Sequence, residues 1–87
     1  MNFDIIERAG LTQQEFAALV QFSRPSVNLW INGRKTPGKR AARTLQAAEK
    51  VLAKAVEENH LPAKSKAAKV KLLAAIKKWV AASAAGL

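Results

Sequence analysis

Two helix-start signals, one at Thr12 and one at Ser23, constrain this chain more than any other feature. Thr12 is followed three residues later by Glu15. That T-x-x-E pattern is a capping box: the hydroxyl accepts the Glu15 amide and the carboxylate accepts the Thr12 amide. Leu11 and Phe16 occupy the positions of a hydrophobic staple, which fixes how the chain turns into the helix. The same grammar returns at Phe22-Ser23, where Ser23 can cap and Phe22 can staple onto Val27. Pro25 falls in the first turn, where a missing amide hydrogen costs little. The spacing predicts two short helices beginning near Thr12 and Ser23, the first ending near Val20, joined by a tight turn.

Each of these helices has one apolar face. Phe16, Ala17 and Val20 on the first would bury against Val27, Trp30 and Ile31 on the second, with small Ala17 where the axes come closest. The outer face of the second keeps Arg24, Pro25, Asn28, Leu29 and Asn32. A helix with a dry inner stripe and such an outer row can enter a DNA major groove. Arg suits guanine O6/N7, Asn suits adenine N6/N7, and an apolar side chain can meet a thymine methyl. The bland alternative is an ordinary helical hairpin inside a small bundle.

The stretch resembles the helix-turn-helix of the lambda-repressor-like superfamily, the Cro and phage-repressor (XRE-like) type. The likeness is carried by Leu11-Thr12-Gln13-Gln14, Glu15, Phe16-Ala17, Val20, Phe22-Ser23, Val27, Trp30 and Asn32-Gly33-Arg34, and spans residues 3–55. It implies that Gln13 and Asn32 touch phosphates while Ser23, Arg24, Pro25, Asn28 and Leu29 face bases. Two positions depart from the family pattern. Gln21 stands where a turn glycine is usual, and a left-handed backbone there costs about 1 kcal/mol. Leu29 is apolar where a polar reader is common, which leaves base preference open.

Charge is placed unevenly within a formal net of +9. Residues 1–60 hold nine Lys/Arg and six acids; residues 61–87 hold six Lys and no acid. Such asymmetry implies a polyanionic partner, most often nucleic acid, sometimes an acidic membrane surface or protein. Arg34, Lys35, Lys39, Arg40 and Arg43 directly follow the reading helix with no acid among them. They suit a phosphate backbone and would set register and affinity rather than sequence preference. The alternative is a solvated basic loop.

The rest of the chain reads as helical scaffold. Asn2 or Asp4 can cap a short first helix ended by Gly10, with Phe3, Ile5 and Ile6 turned inward. Thr36 can cap a later helix with Pro37 in its first position, and from about Lys39 the pattern is helical to about Glu58. Lys39, Arg40 and Arg43 then crowd the positive end of its dipole, which a bound anion would relieve. Ala41, Leu45, Ala48, Leu52 and Ala55 form a heptad-like seam whose distal turns have little to cover within one chain. Asn59, His60, Leu61 and Pro62 end it.

A last helix is predicted from Ala63 to Ala85, with Leu72, Leu73, Ile76, Trp79 and Val80 as one apolar stripe and lysines over much of the rest. Three uses compete for it: docking on the preceding helix, its own or a partner's, to build a dimer; lying on an anionic membrane; or trailing along DNA. Dimerisation is favoured, because a Trp-anchored stripe facing a heptad seam buries surface that both would otherwise expose. The interface then comprises Leu52, Val56, Leu72, Leu73, Ile76, Trp79 and Val80, and the lysines grip DNA at longer range.

The expected fold is all-α with about five helices: a helix-turn-helix DNA-binding domain over residues 1–60 and a basic amphipathic helix over 61–87. The chain has no cysteine, hence no disulfide, thiolate zinc site or cysteine nucleophile. Lone His60 reads as a linker residue, and no glycine-rich phosphate loop or nucleophile–base pair is present, so no metal, cofactor or catalysis is expected. MNFDII lacks the basic and apolar regions of a secretion signal, and Lys77-Lys78 keep the later apolar runs below spanning length, which points to the cytoplasm and its nucleoid. The expected function is sequence-specific transcription regulation. A Cro-like bacterial or phage repressor would bind double-stranded DNA as a homodimer, its half-sites about 34 Å apart on a near-palindromic operator. Competing readings are an antitoxin-like adaptor whose last helix grips a partner protein, and an architectural binder indifferent to sequence.

Overall fold

Local capping decides where most of the helices start. The computed structural model describes residues 3–85, Ala85 by its backbone alone. It contains α1 (Asp4–Arg8), α2 (Gln13–Val20), α3 (Arg24–Ile31), α4 (Lys39–Glu57) and α5 (Lys66–Ala85), with no strand among the described residues. At α2 the Glu15 amide donates to Thr12 Oγ1 at 3.1 Å and the Thr12 amide donates to Glu15 Oε1 at 2.9 Å, so the capping box is complete. At α3 the Ser26 amide donates to Ser23 Oγ at 3.3 Å. Between them Gln21 adopts the left-handed conformation, φ 60 and ψ 37. The Phe22 amide donates to the Ala17 carbonyl at 3.2 Å, closing α2 without a glycine.

Two caps and one start differ from the sequence expectation. Asp4 is the first residue inside α1 rather than its cap; Phe3 takes the cap position with no side-chain hydrogen bond, and Asn2 lies outside the described residues. α4 begins at Lys39, where its helical pattern begins, but Gly38 and not Thr36 takes the cap position. A Thr36 cap would place Gly38 inside the first turn at a cost of about 1 kcal/mol relative to alanine, and a start at Lys39 avoids it. α5 begins at Lys66 instead of Ala63, because Ser65 accepts the Ala68 amide at 3.1 Å and no comparable cap stands earlier.

The seam of α4 is the spine of the core: Ala41, Leu45, Ala48, Leu52 and Ala55 are all buried. Ile5 and Ile6 of α1, Phe16, Ala17, Leu19 and Val20 of α2, and Val27 of α3 join Leu45, Ala48, Leu52 and Ala55 in one cluster. The last helix completes that cluster, which corrects the expectation that the distal seam has little to cover within one chain. Ile76 and Val80 are as buried as Phe16 and Leu52. Lys69, near the start of α5, meets Glu15 in the first turn of α2. At the other end Val80, Ala81 and Ala84 share a cleft with Leu19, Val20, Phe22 and Lys39, Arg40 and Arg43. Hence α5 runs parallel to α2 and antiparallel to α4.

The stripe on α5 is also centred differently. Lys69, Leu73, Ile76 and Val80 follow a 4-3-4 spacing along the inward line, while Leu72 and Trp79 sit roughly 80° off it at about 100° per residue. Trp79 is therefore 55% exposed rather than an anchor. The loop before α5 is pinned as well. Leu61 is buried, and Pro62 rests on Gly10, whose φ is +70 and where an added Cβ would lie 2.9 Å from Pro62 Cβ. Gly10 is required twice over, by backbone angle and by that approach.

Candidate nucleic-acid interface

The second helix of the motif divides its faces as its sequence predicts, with one adjustment. Val27 is fully buried, whereas Trp30 and Ile31 are only partly covered. Trp30 packs edge-on to Phe22, ring centroids 5.3 Å apart at 76°, so the aromatic pair closes the margin of the helix pair instead of filling its centre. Ser23, Arg24, Pro25, Asn28, Leu29 and Asn32 all stand exposed on the opposite side.

Asn28 is held from both sides. Its Nδ2 donates to Gln13 Oε1 at 3.1 Å, and its Oδ1 accepts from Asn32 Nδ2 at 3.0 Å. Gln13 lies in the first turn of α2 and Asn32 at the end of α3, so three amides bridge the two helices along their outer rim. Each amide oxygen has two lone pairs and each amide nitrogen two protons. Asn28 thus keeps one donor and one acceptor, the pair that an adenine N7/N6 edge requires. A side chain fixed before contact loses less rotamer entropy on binding.

The basic residues Arg34, Lys35, Lys39, Arg40 and Arg43 are exposed along the loop and the first turns of α4. That helix starts at a cap without a side-chain hydrogen bond and has no acid in its first turn. Its free amides and its cations therefore present one positive surface, with Lys39, Arg40 and Arg43 beside the end of α2.

A family model described as helix-turn-helix, of the XRE/lambda-repressor-like type, matches residues 4–58. The chain belongs to the lambda-repressor-like helix-turn-helix family. That family is one of DNA-binding regulators, and the match ends where α4 ends. No curated protein and no solved structure matches the chain.

For this family member the lysine-rich helix holds what sequence reasoning missed. Lys69, expected among the outward lysines, instead bonds Glu15 at 2.8 Å and donates to the Gly10 carbonyl at 2.9 Å. Its place on the inward 4-3-4 line was the available signal. Glu15 thereby serves both the α2 cap and α5, and the hydrogen bond from Lys69, followed by that from the Thr12 amide, holds its carboxyl below the ordinary carboxylate value.

The residues expected to meet a second chain separate into two groups. Leu52, Ile76 and Val80 are buried in the chain's own core and have no surface to offer, because α5 docks on its own α4. Val56, Leu72 and Leu73 are partly covered and Trp79 is exposed. A groove of about 490 Å³ beside Trp79 is lined by Val51, Lys54, Ala55, Glu58, His60 and Leu72. His60 sits exposed at its rim, Nε2 3.9 Å from Glu58 Oε1. Among the described residues no group of three or more His, Cys, Asp or Glu is placed to hold a metal, and no helix is long and apolar enough to cross a membrane.

Proposed function

We propose that the protein is a sequence-specific transcriptional regulator, a Cro-like repressor that acts without catalysis as a homodimer on a near-palindromic operator. The observation that carries this reading is the bracketing of Asn28 between Gln13 and Asn32 on an α3 whose whole outer row is exposed. In it α3 lies in the major groove, Arg24 and Asn28 read guanine and adenine edges, Leu29 and Pro25 meet thymine methyls, and Ser23 adds a polar contact. Gln13 and Asn32 extend the amide row to phosphates, and Arg34, Lys35, Lys39, Arg40 and Arg43 follow the backbone on one side. Occupancy of a promoter blocks polymerase, and such a protein resides with the cytoplasmic nucleoid.

Dimerisation in this reading uses the strip left uncovered, Trp79 with Leu72 and Val51, since Leu52, Ile76 and Val80 are occupied within the chain. The same groove supports a second reading, an antitoxin-like adaptor whose partner protein covers Trp79. Deleting α5 would not separate the two, because it strips Ile76 and Val80 from the core. Trp79→Ser removes the strip and leaves the core alone.

Footprinting of the full chain on the DNA flanking its own gene tests the proposal. Two protected half-sites about one helical turn, 34 Å, apart are expected. Equal affinity for that DNA and for random duplex, with a steep salt slope, would instead support the architectural reading.

A further inference from the structure

The turn that leads into α2 is flanked by a segment outside the family match. Pro62 rests on Gly10, and Lys69 Nζ bonds both the Gly10 carbonyl and Glu15. The chain from 62 to 69 is therefore tied at both ends to the start of α2, and Lys64 and Lys66 stand between the ties. Both are exposed. Neither makes an ion pair among the described residues. Residues 61–87 contain no acid to neutralise them.

Their position relative to the other basic cluster matters. Lys39, Arg40 and Arg43 share a cleft with Leu19 to Phe22, at the far end of α2. The two cationic groups are thus separated by the length of α2, an eight-residue helix. At 1.5 Å per residue that is about 12 Å, comparable to the width of a major groove. A helix-turn-helix seated in the groove through α3 would have one group facing each bordering strand.

We propose that Lys64 and Lys66 form a second phosphate-binding edge, which grips the DNA backbone flanking the site on the strand opposite that met by Lys39, Arg40 and Arg43. This rests on the DNA-binding reading above. Charge complementarity and continuity with Gln13, in the same first turn of α2, select the DNA backbone as the occupant. The edge adds affinity and salt dependence and no base preference. Lys77 and Lys78 lie more than two turns further along α5 and take no part in it.

The test uses the full chain and a duplex that it enriches from a random-sequence library, with binding measured by fluorescence anisotropy over a series of salt concentrations. Lys64→Gln with Lys66→Gln should lower the slope of log K against log salt by about 1.8 per bound protomer, two contacts at about 0.9 each, and so by about 3.6 for a dimer on paired half-sites. Lys77→Gln with Lys78→Gln, an equal change in net charge, should leave the slope near that of the parent. Trimming the duplex base pair by base pair from the flank should erase the difference between the parent and the Lys64/Lys66 variant. Parent-like binding by that variant, or an equal effect from the Lys77/Lys78 pair, would overturn the second edge while leaving groove reading intact. Absence of duplex binding by the parent chain would remove both.

Discussion

Lys69 Nζ lies 2.8 Å from Glu15 Oε1, and this one contact joins the last helix to the cap that starts the first helix of the DNA-binding motif. Glu15 accepts from Thr12 as well, so one carboxylate serves two ends of the fold. Both side chains are about three-quarters covered or somewhat less, enough to weaken solvent screening without full desolvation.

Substitutions at the pair should separate its two roles. Lys69→Met should destabilise the fold by about 1–2 kcal/mol, since it removes charge-assisted bonds to Glu15 and to Gly10. Glu15→Gln keeps the capping box, which accepts Gln, and should lose about as much or less. Glu15→Ala loses the pair and the carboxylate half of the box, while Thr12 still accepts the residue-15 amide, and should cost up to about 1 kcal/mol more than Glu15→Gln. Urea unfolding followed by circular dichroism measures all three. Equal stability for Glu15→Gln and Glu15→Ala would mean that the residue-15 side-chain half of the box contributes nothing.

The same carboxylate predicts an acid response. Its pKa is depressed in the folded chain, so its contribution is full above the ordinary carboxylate value and is lost as pH falls through the lower folded value. Thermal unfolding from pH 7 downward should show a fall in stability below about pH 4.5. In Glu15→Gln that fall should be shallower. Parallel profiles for parent and variant would contradict the assignment.

Much of this architecture is legible in the residues themselves, and the failures have physical causes. Thr12, Glu15 and Ser23 announce their helices because capping is local: donor and acceptor lie three residues apart in the chain. The exposed row from Ser23 to Asn32 follows from helical period once Val27 is turned inward. Lys69 escapes because a lysine on a helix is normally solvated, and its partners, Gly10 and Glu15, are more than fifty residues away. The dock of α5 on its own α4 is a choice between identical surfaces in one chain or two, which periodicity leaves undecided. Trp79 is exposed because angular position, not apolar character, decides which face of α5 turns inward.

A turn without glycine offers a stabilising change. Gln21 holds φ 60 and ψ 37, a conformation that costs a side-chain-bearing residue about 1 kcal/mol. Gln21→Gly should raise stability by up to about that amount, less the extra chain entropy that glycine brings to the unfolded state. Its DNA affinity should stay that of the parent. Lower thermal stability in this variant would show that the Gln21 side chain contributes more than the backbone strain removes.

Trp79 should matter to association and not to folding. With its side chain half in solvent, Trp79→Ser should unfold within about 0.5 kcal/mol of the parent. Sedimentation velocity should show the parent as a concentration-dependent dimer and the variant as monomer. A parent that sediments as monomer, yet copurifies a protein that Trp79→Ser loses, would favour the adaptor reading.

The most direct measurement is selection from a random-sequence DNA library by the full chain and, in parallel, by Asn28→Ala and Arg24→Ala. The parent should enrich paired half-sites one helical turn apart. Each variant should lose preference at one base pair per half-site, about 1–3 kcal/mol or roughly ten- to a hundred-fold, while unfolding like the parent. An identical enriched sequence and affinity for the parent and both variants would mean that the outer row of α3 does not read DNA.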